Sequence, residues 1–211
     1  IPSTGPAIIA SNHQSVMDSF FLPLLCPRQI TFLAKAEYFN GTTPVGRLQK
    51  WFFTNVGQRP VNRTSASAGQ DALNTAVEVL NDGDLFGIYP EGTRSPDGRL
   101  YKGKTGVARI ALASGAQVIP VAMIGTRDVN PIGTWFPRPG KVRVKVGDPI
   151  YPSEFVNNRG LERDSYEAIR ALTDHIMRQL QQLSGQEYAD VYAAEVKKAL
   201  AEGGDSSPHN P

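Results

Sequence analysis

Two polar cassettes, each set directly behind an apolar run of strand length, constrain the fold of this chain more than any other feature. Ala7-Ile8-Ile9-Ala10 leads into Asn12-His13-Gln14-Ser15-Val16-Met17-Asp18, and Leu85-Phe86-Gly87-Ile88 leads into Tyr89-Pro90-Glu91-Gly92-Thr93-Arg94-Ser95. A buried strand that breaks at polar residues and passes into a helical pattern is half of a β-α unit. The same alternation runs along the chain. It predicts strands near residues 7–11, 31–34, 54–56, 85–89, 117–124 and 142–146, and helices near 18–25, 44–53, 67–81, 105–114 and 163–183. The fold class is therefore α/β: a single domain with a central, mostly parallel sheet flanked by helices.

Local signals set several boundaries. Asn81-Asp82-Gly83-Asp84 stops one helix before the next strand, and Gly115 stands where a C-terminal cap belongs. Tyr166, Ile169, Leu172, Ile176, Leu180 and Leu183 recur at helical spacing and read as a core stripe. A further helix is expected over 187–201, closing the fold or lying on it. Residues 1–202 form the domain, and the Gly-, Ser- and Pro-rich stretch 203–211 is expected to be disordered.

Charge is unevenly spread. Residues 151–211 hold ten acidic and six basic side chains, so residues 1–150, with 16 basic and ten acidic, carry the positive excess. Both cassettes lie in that positive part, which suits an anionic substrate or an anionic lipid surface. The single Cys26 excludes an intrachain disulfide and suits a reducing compartment. It lies in Leu24-Leu25-Cys26-Pro27 and reads as the buried end of a helix rather than an activated thiol. No stretch reaches the ~18 apolar residues of a spanning helix. A chain that begins at Ile1 is expected to continue upstream in its natural form, with room there for a membrane anchor.

In the first cassette, residues five apart on a helix point ~140° away from each other and do not touch. His13 and Asp18 can pair only if His13 lies on the loop leaving the strand and Asp18 in the first turn of the next helix. The carboxylate would then fix the imidazole tautomer and raise the basicity of the free ring nitrogen. Ser15-x-x-Asp18 also reads as a capping box, with Ser15 capping that helix. In the second cassette, Arg94 is a guanidinium fork for phosphate, and Gly92 allows close approach or positive φ. Thr93 adds a hydroxyl, and Glu91 either holds Arg94 or accepts from a substrate hydroxyl. Lys102, Lys104 and the start of the helix at Thr105 add positive potential. There is no Walker loop and no metal-ligand cluster. His175 reads as a plain helix residue and His209 as a tail residue.

Taken jointly, these residues resemble the glycerolipid acyltransferases, in particular the 1-acylglycerol-3-phosphate (lysophosphatidate) acyltransferases, over about residues 7–150. Asn12-His13-x-Ser15-x-x-Asp18 looks like the family's first block and Tyr89-Pro90-Glu91-Gly92-Thr93-Arg94-Ser95 like its third. Val118-Ile119-Pro120-Val121 resembles its fourth. Gly57-Gln58-Arg59-Pro60-Val61-Asn62-Arg63 departs from the second block. The family usually has apolar residues where Arg59 and Pro60 stand and Asp where Asn62 stands, which leaves the acceptor open.

The resemblance implies that His13, oriented by Asp18, deprotonates an acceptor hydroxyl that attacks an acyl thioester directly, without an acyl-enzyme. It implies that Lys35 and Arg94 hold the acceptor phosphate, with Arg63 assisting. Glu91, Gly92 and Thr93 complete the substrate-binding set. No cofactor or metal is expected. The implied partners are a lysophospholipid, an acyl thioester on CoA or acyl carrier protein, and a membrane surface at the cytoplasmic face, with no nucleic acid. Trp51-Phe52-Phe53 with Arg47 and Lys50, or Tyr38-Phe39, suit a lipid interface. Phe20, Phe21, Leu24, Trp51, Phe52 and Phe53 are candidates for an acyl slot. Three alternatives stay open: an acyltransferase with another acceptor (glycerol-3-phosphate, a lysophospholipid or a glycolipid), a thioesterase or lipase using Ser15, and a lipid-binding protein without catalysis. The missing Gly-x-Ser-x-Gly counts against the hydrolase.

Overall fold

In the computed structural model, which describes residues 1–35, 58–61, 68–134 and 136–203, the two apolar runs are neighbouring strands of one sheet. β1 (Ala7–Ser11) lies between β4 (Leu85–Ile88) and β6 (Gln117–Ile124), parallel to both. β2 (Ile30–Lys35) runs parallel to β4 and to β3 (Gln58–Val61). β7 (Arg143–Val146) closes the far edge antiparallel to β6, giving the order β3-β2-β4-β1-β6-β7. Ala10 is level with both Ile88 and Pro120. The carboxyl ends of β1 and β4 therefore open side by side, and each is continued by one polar cassette.

β1 is buried along its whole length because both sheet faces are covered. On one face Ile8, Ala10, Phe86 and Val118 pack against four helices. These are α2 (Ala68–Asn81), α3 (Gly106–Ser114), α5 (Pro152–Asn157) and α6 (Tyr166–Ser184). On the other, Ala7, Ile9, Leu85 and Ile119 meet Leu22 of α1 (Asp18–Leu25), with Phe32 and Met123 beside them. The half-buried, free Cys26 ends α1 against this second cluster.

β1, α1 and β6 occupy the spans expected of them. The stripe on α6 is core from Ile169 to Leu180, whereas Tyr166 is exposed. That helix begins at residue 166 rather than 163, because the Ser165 hydroxyl accepts from the Ala168 N–H and caps it there. Gly115 closes α3 in the left-handed region, at φ 72°. The expected helix over 187–201 is divided. Leu100 and Lys102 donate to the carbonyls of Glu187 and Ala189, which draws β8 (Tyr188–Ala189) parallel to β5 (Leu100–Tyr101). Only α7 (Ala193–Ala201) is helical. The four-residue α4 (Thr126–Val129) and six-residue α5 are too short for a periodic signal. The helix expected at 44–53, the strand at 54–56 and the tail from 204 lie outside the described residues, as do Tyr38-Phe39, Arg47, Lys50 and Trp51-Phe52-Phe53. Among the described residues, no helix is long and apolar enough to cross a membrane.

Gly87 shows how this frame reaches the polar end of the sheet. A Cβ on Gly87 would lie 2.3 Å from the Phe32 ring. Phe32 in turn stacks on Tyr89, with ring centroids 5.4 Å apart. Gly87→Ala should push the Phe32 ring aside and destabilise the protein by about 1–3 kcal/mol, read from urea unfolding midpoints. Unchanged stability would mean that the ring has somewhere else to go.

Candidate active site

His13 sits on the loop between β1 and α1, and Asp18 is the first residue of α1. The pairing that a single helix forbids is present: His13 Nδ1 lies 3.0 Å from Asp18 Oδ2. The same oxygen accepts the backbone N–H groups of Gln14 (2.6 Å) and Ser15 (2.8 Å). Asp18 is fully buried, so its charge is stabilised by these donors rather than by water. A carboxylate only accepts, so Nδ1 carries the proton and Nε2 is left as the basic nitrogen. The His13 side chain is 15% exposed.

The ring is also held face-on. Tyr89 stacks on it with centroids 3.9 Å apart and planes 11° from parallel. Burial first, then the charge of Asp18, raises the Tyr89 phenol far above its ordinary range, so it stays neutral beside the base. Its hydroxyl is 3.3 Å from Ser19 Oγ.

The second cassette grips the His13 backbone on both sides. The His13 N–H donates to Glu91 Oε1 (2.9 Å), and the Ser95 N–H donates to the His13 carbonyl (2.7 Å). Glu91 Oε2 accepts the Tyr101 N–H (3.0 Å). Glu91 is thus fully buried with each oxygen on a backbone amide, and it makes no ion pair with Arg94. The expected hold on Arg94 is not formed; Glu91 instead ties the two loops together. Burial pushes its carboxyl up to about 7, against the opposing pull of the Tyr101 and His13 amides.

Ser15 also differs from its expected role. The residue before α1 is Met17, and no side chain caps the helix. The buried Ser15 hydroxyl instead faces Asn130, 2.9 Å from its carbonyl and 3.1 Å from Oδ1, and accepts the Met17 N–H. Only the reverse half of the capping box forms, from Asp18 to the Ser15 N–H.

The cationic side of the site surrounds the turn at Gly92. Its N–H donates to the Tyr89 carbonyl, and its φ of 74° is left-handed. A Cβ there would touch the Lys104 side chain at 3.0–3.3 Å, so Lys104 lies across the glycine. Arg94 is partly exposed beside it and forms no hydrogen bond or ion pair among the described residues. Lys35 ends β2, next to β4 in the sheet, and so stands at the same carboxyl edge. Arg63 lies outside the described residues. Lys102 pairs instead with Asp190 at 3.0 Å, away from the turn. Among the described residues, no cluster of three His, Cys, Asp or Glu could hold a metal ion.

The C-terminal part contributes more than the cassettes suggest. The Asn12 side chain binds both backbone groups of Met123 and donates to Gln186 Oε1 at 2.7 Å. Gln186 donates in turn to the Gly98 carbonyl, which Gln14 also reaches. Lys197 of α7 donates to Thr93 Oγ1 at 2.8 Å. Neither Gln186 nor Lys197 stands in a pattern that sequence reading could single out. Tyr89 was legible only as a cassette member, not as the ring beneath His13. His175 packs on Phe155 within the helical layer, and His209 lies outside the described residues.

A family model described as Acyltransferase matches residues 1–124. The chain belongs to the acyltransferase family. It is 33% identical to the chloroplastic 1-acyl-sn-glycerol-3-phosphate acyltransferase LPAT1 of Arabidopsis thaliana, over 73% of this chain and 42% of the relative. It is 27% identical to a 1-acyl-sn-glycerol-3-phosphate acyltransferase of Bacillus subtilis, over 87% of this chain and 83% of the relative. The crystal structure of the 1-acyl-sn-glycerophosphate acyltransferase PlsC from Thermotoga maritima superposes with a TM-score of 0.66 at 32% identity. That match covers 87% of this chain and 68% of the other. The chain spans about half the length of the first plant relatives it matches.

For this acyltransferase-family chain, the raised Glu91 carboxyl makes a signed prediction. Its native pKa of about 7 exceeds the ordinary 4.5, so the folded state holds the proton more tightly. The stabilisation is full below pH 4.5 and is lost as pH rises through 7. The stability advantage of wild type over Glu91→Gln should therefore fall by on the order of 2–3 kcal/mol between pH 5 and 8. A pH-independent gap, measured by denaturant unfolding, would show that Glu91 is ionised throughout.

Proposed function

We propose that this protein transfers a fatty acyl group from an acyl thioester to the free hydroxyl of 1-acylglycerol-3-phosphate, giving phosphatidate. The observation that carries this reading is the His13–Asp18 pair, set beside a turn whose Arg94 forms no hydrogen bond or ion pair among the described residues. His13 Nε2 takes the proton of the acceptor hydroxyl as that oxygen bonds to the thioester carbonyl carbon. The carbon–sulfur bond then breaks, and the departing sulfur takes the proton back from the imidazolium. Such a base contributes roughly 10²–10⁴-fold to rate. Arg94, with Lys35 and Arg63, holds the acceptor phosphate. Glu91 keeps the His13 loop and the Arg94 turn in register. CoA or acyl carrier protein supplies the acyl group, and no cofactor takes part.

The site works at a membrane surface, on its cytoplasmic face. Contact with a membrane surface is supported by Phe20 and Leu24, four residues apart on α1, and by Val16 just before it, all exposed. Ser15 is poorly placed to act as a nucleophile, since its buried hydroxyl is turned to Asn130.

The reading is tested by offering purified protein one acyl-CoA with a panel of acceptors and identifying the products by mass spectrometry. Phosphatidate from lysophosphatidate is the expected main product. Faster transfer to glycerol-3-phosphate, a lysophosphatidylcholine or a glycolipid would reassign the acceptor. His13→Ala should abolish transfer in folded protein, and activity within tenfold of wild type would remove the base assignment. Arg94→Ala should weaken acceptor use by on the order of 1.5–3 kcal/mol, with little change for the donor. Incubation with acyl-CoA alone should leave the intact mass unchanged; an adduct lost in Ser15→Ala or Cys26→Ala would replace direct transfer with a covalent route.

A further inference from the structure

Among the described residues, α7 sends one lysine, Lys197, to the loops of the candidate site. It crosses from the C-terminal helix to hydrogen-bond Thr93, the residue between Gly92 and Arg94. Nothing in the family match reaches it, because that match ends at residue 124.

The surroundings of Lys197 are electrostatically incomplete. Its neighbour Lys198 pairs with Glu202, whereas Lys197 makes no ion pair among the described residues. Arg94 makes none either. The two like charges are close enough that Arg94, after burial, pulls the Lys197 ammonium below its ordinary range. The nearby carboxylate, Glu91, is sealed beneath the turn with both oxygens on backbone amides. The flexible end of Lys104 lies over Gly92. A cleft of about 330 Å³, lined by Lys104, Thr105, Tyr192 and Glu195, opens between the segment that enters α3 and the start of α7. Apart from the attraction of Glu91 for Lys197, these cations repel one another, and a doubly charged phosphate seated among them relieves that repulsion.

We propose that Lys197 is a substrate-binding residue that, together with Arg94 and Lys104, holds a phosphate monoester, that of the acceptor. This rests on the acyltransferase reading above. It extends the anion site beyond the second cassette to the last helix, so that α7 completes the binding surface rather than merely covering the fold. The hydrogen bond to Thr93 holds the ammonium in place. A phosphate arriving at the turn meets a point charge on one side and the Arg94 fork on the other.

The test compares Lys197→Gln, Lys197→Arg and Arg94→Ala, measuring kcat and KM for lysophosphatidate and for acyl-CoA. Glutamine can still donate to Thr93 but has no charge. If Lys197 binds the acceptor phosphate, Lys197→Gln raises the lysophosphatidate KM about 5- to 30-fold. In that case kcat and the donor KM change little, and Lys197→Arg recovers most of the loss. If the lysine is only a tie to Thr93, glutamine serves as well as arginine and the proposal fails. A rise confined to the acyl-CoA KM would reassign Lys197 to a donor phosphate and overturn the proposal. Should Arg94→Ala raise the acceptor KM while Lys197→Gln does not, the inference falls and the acyltransferase reading stands. If neither variant affects acceptor use, the inference falls together with the assignment of the acceptor phosphate to Arg94. Thermal unfolding checks that each variant is folded; should Lys197→Gln unfold, Lys197→Arg at wild-type melting temperature with an unrestored acceptor KM would refute the proposal.

Discussion

One buried oxygen, Asp18 Oδ2, organises the candidate active site of this molecule. It receives three donors: the His13 ring and the amides of Gln14 and Ser15. An ionised carboxylate removed from water is tolerable only when it is met in this way. The requirement runs in both directions. The loop must fold back so that its amides point at α1, and that fold places the imidazole against the carboxylate. The stability of the loop and the tautomer of the base thus rest on the same group.

Glu91 does the corresponding work between the cassettes. Its two oxygens span the His13 and Tyr101 amides, and Ser95 takes the His13 carbonyl, so the first loop cannot move without the second. Parallel pairing of β1 with β4 brings the loops out side by side. Tyr89, stacked on His13 and also on Phe32, then fixes the plane of the ring. An imidazole, the carboxylate that orients it and a cationic turn are thereby set by the sheet in advance, as the proposed transfer requires.

The sequence made much of this legible, for identifiable reasons. β1 and β6 are long apolar runs, and the five-residue spacing of His13 and Asp18 admits pairing only across a loop–helix junction. The α/β class follows from those runs. The pairing of Glu91 with Arg94 does not form because burial and two backbone amides, rather than the adjacent arginine, decide the partners of that carboxylate. Ser15 was misread because the capping pattern is local and the competing acceptor, Asn130, is 115 positions away. Lys197 and Gln186 are invisible for the same reason: they meet the cassettes only through the packing of the C-terminal segment. Short elements such as β5 and β8 exist by pairing with each other rather than by pattern.

The central claim is that Asp18 locks His13 with Nδ1 protonated and Nε2 free to act as the base. Nitrogen-15 NMR of histidine-labelled protein, at a pH where the imidazole is neutral, observes this directly. The account predicts a single Nδ1–H tautomer for His13, with Nε2 resonating as an unprotonated nitrogen, and loss of that preference in Asp18→Asn. An Nε2–H tautomer in the wild-type protein, or a ring averaging freely between the two forms, would contradict it.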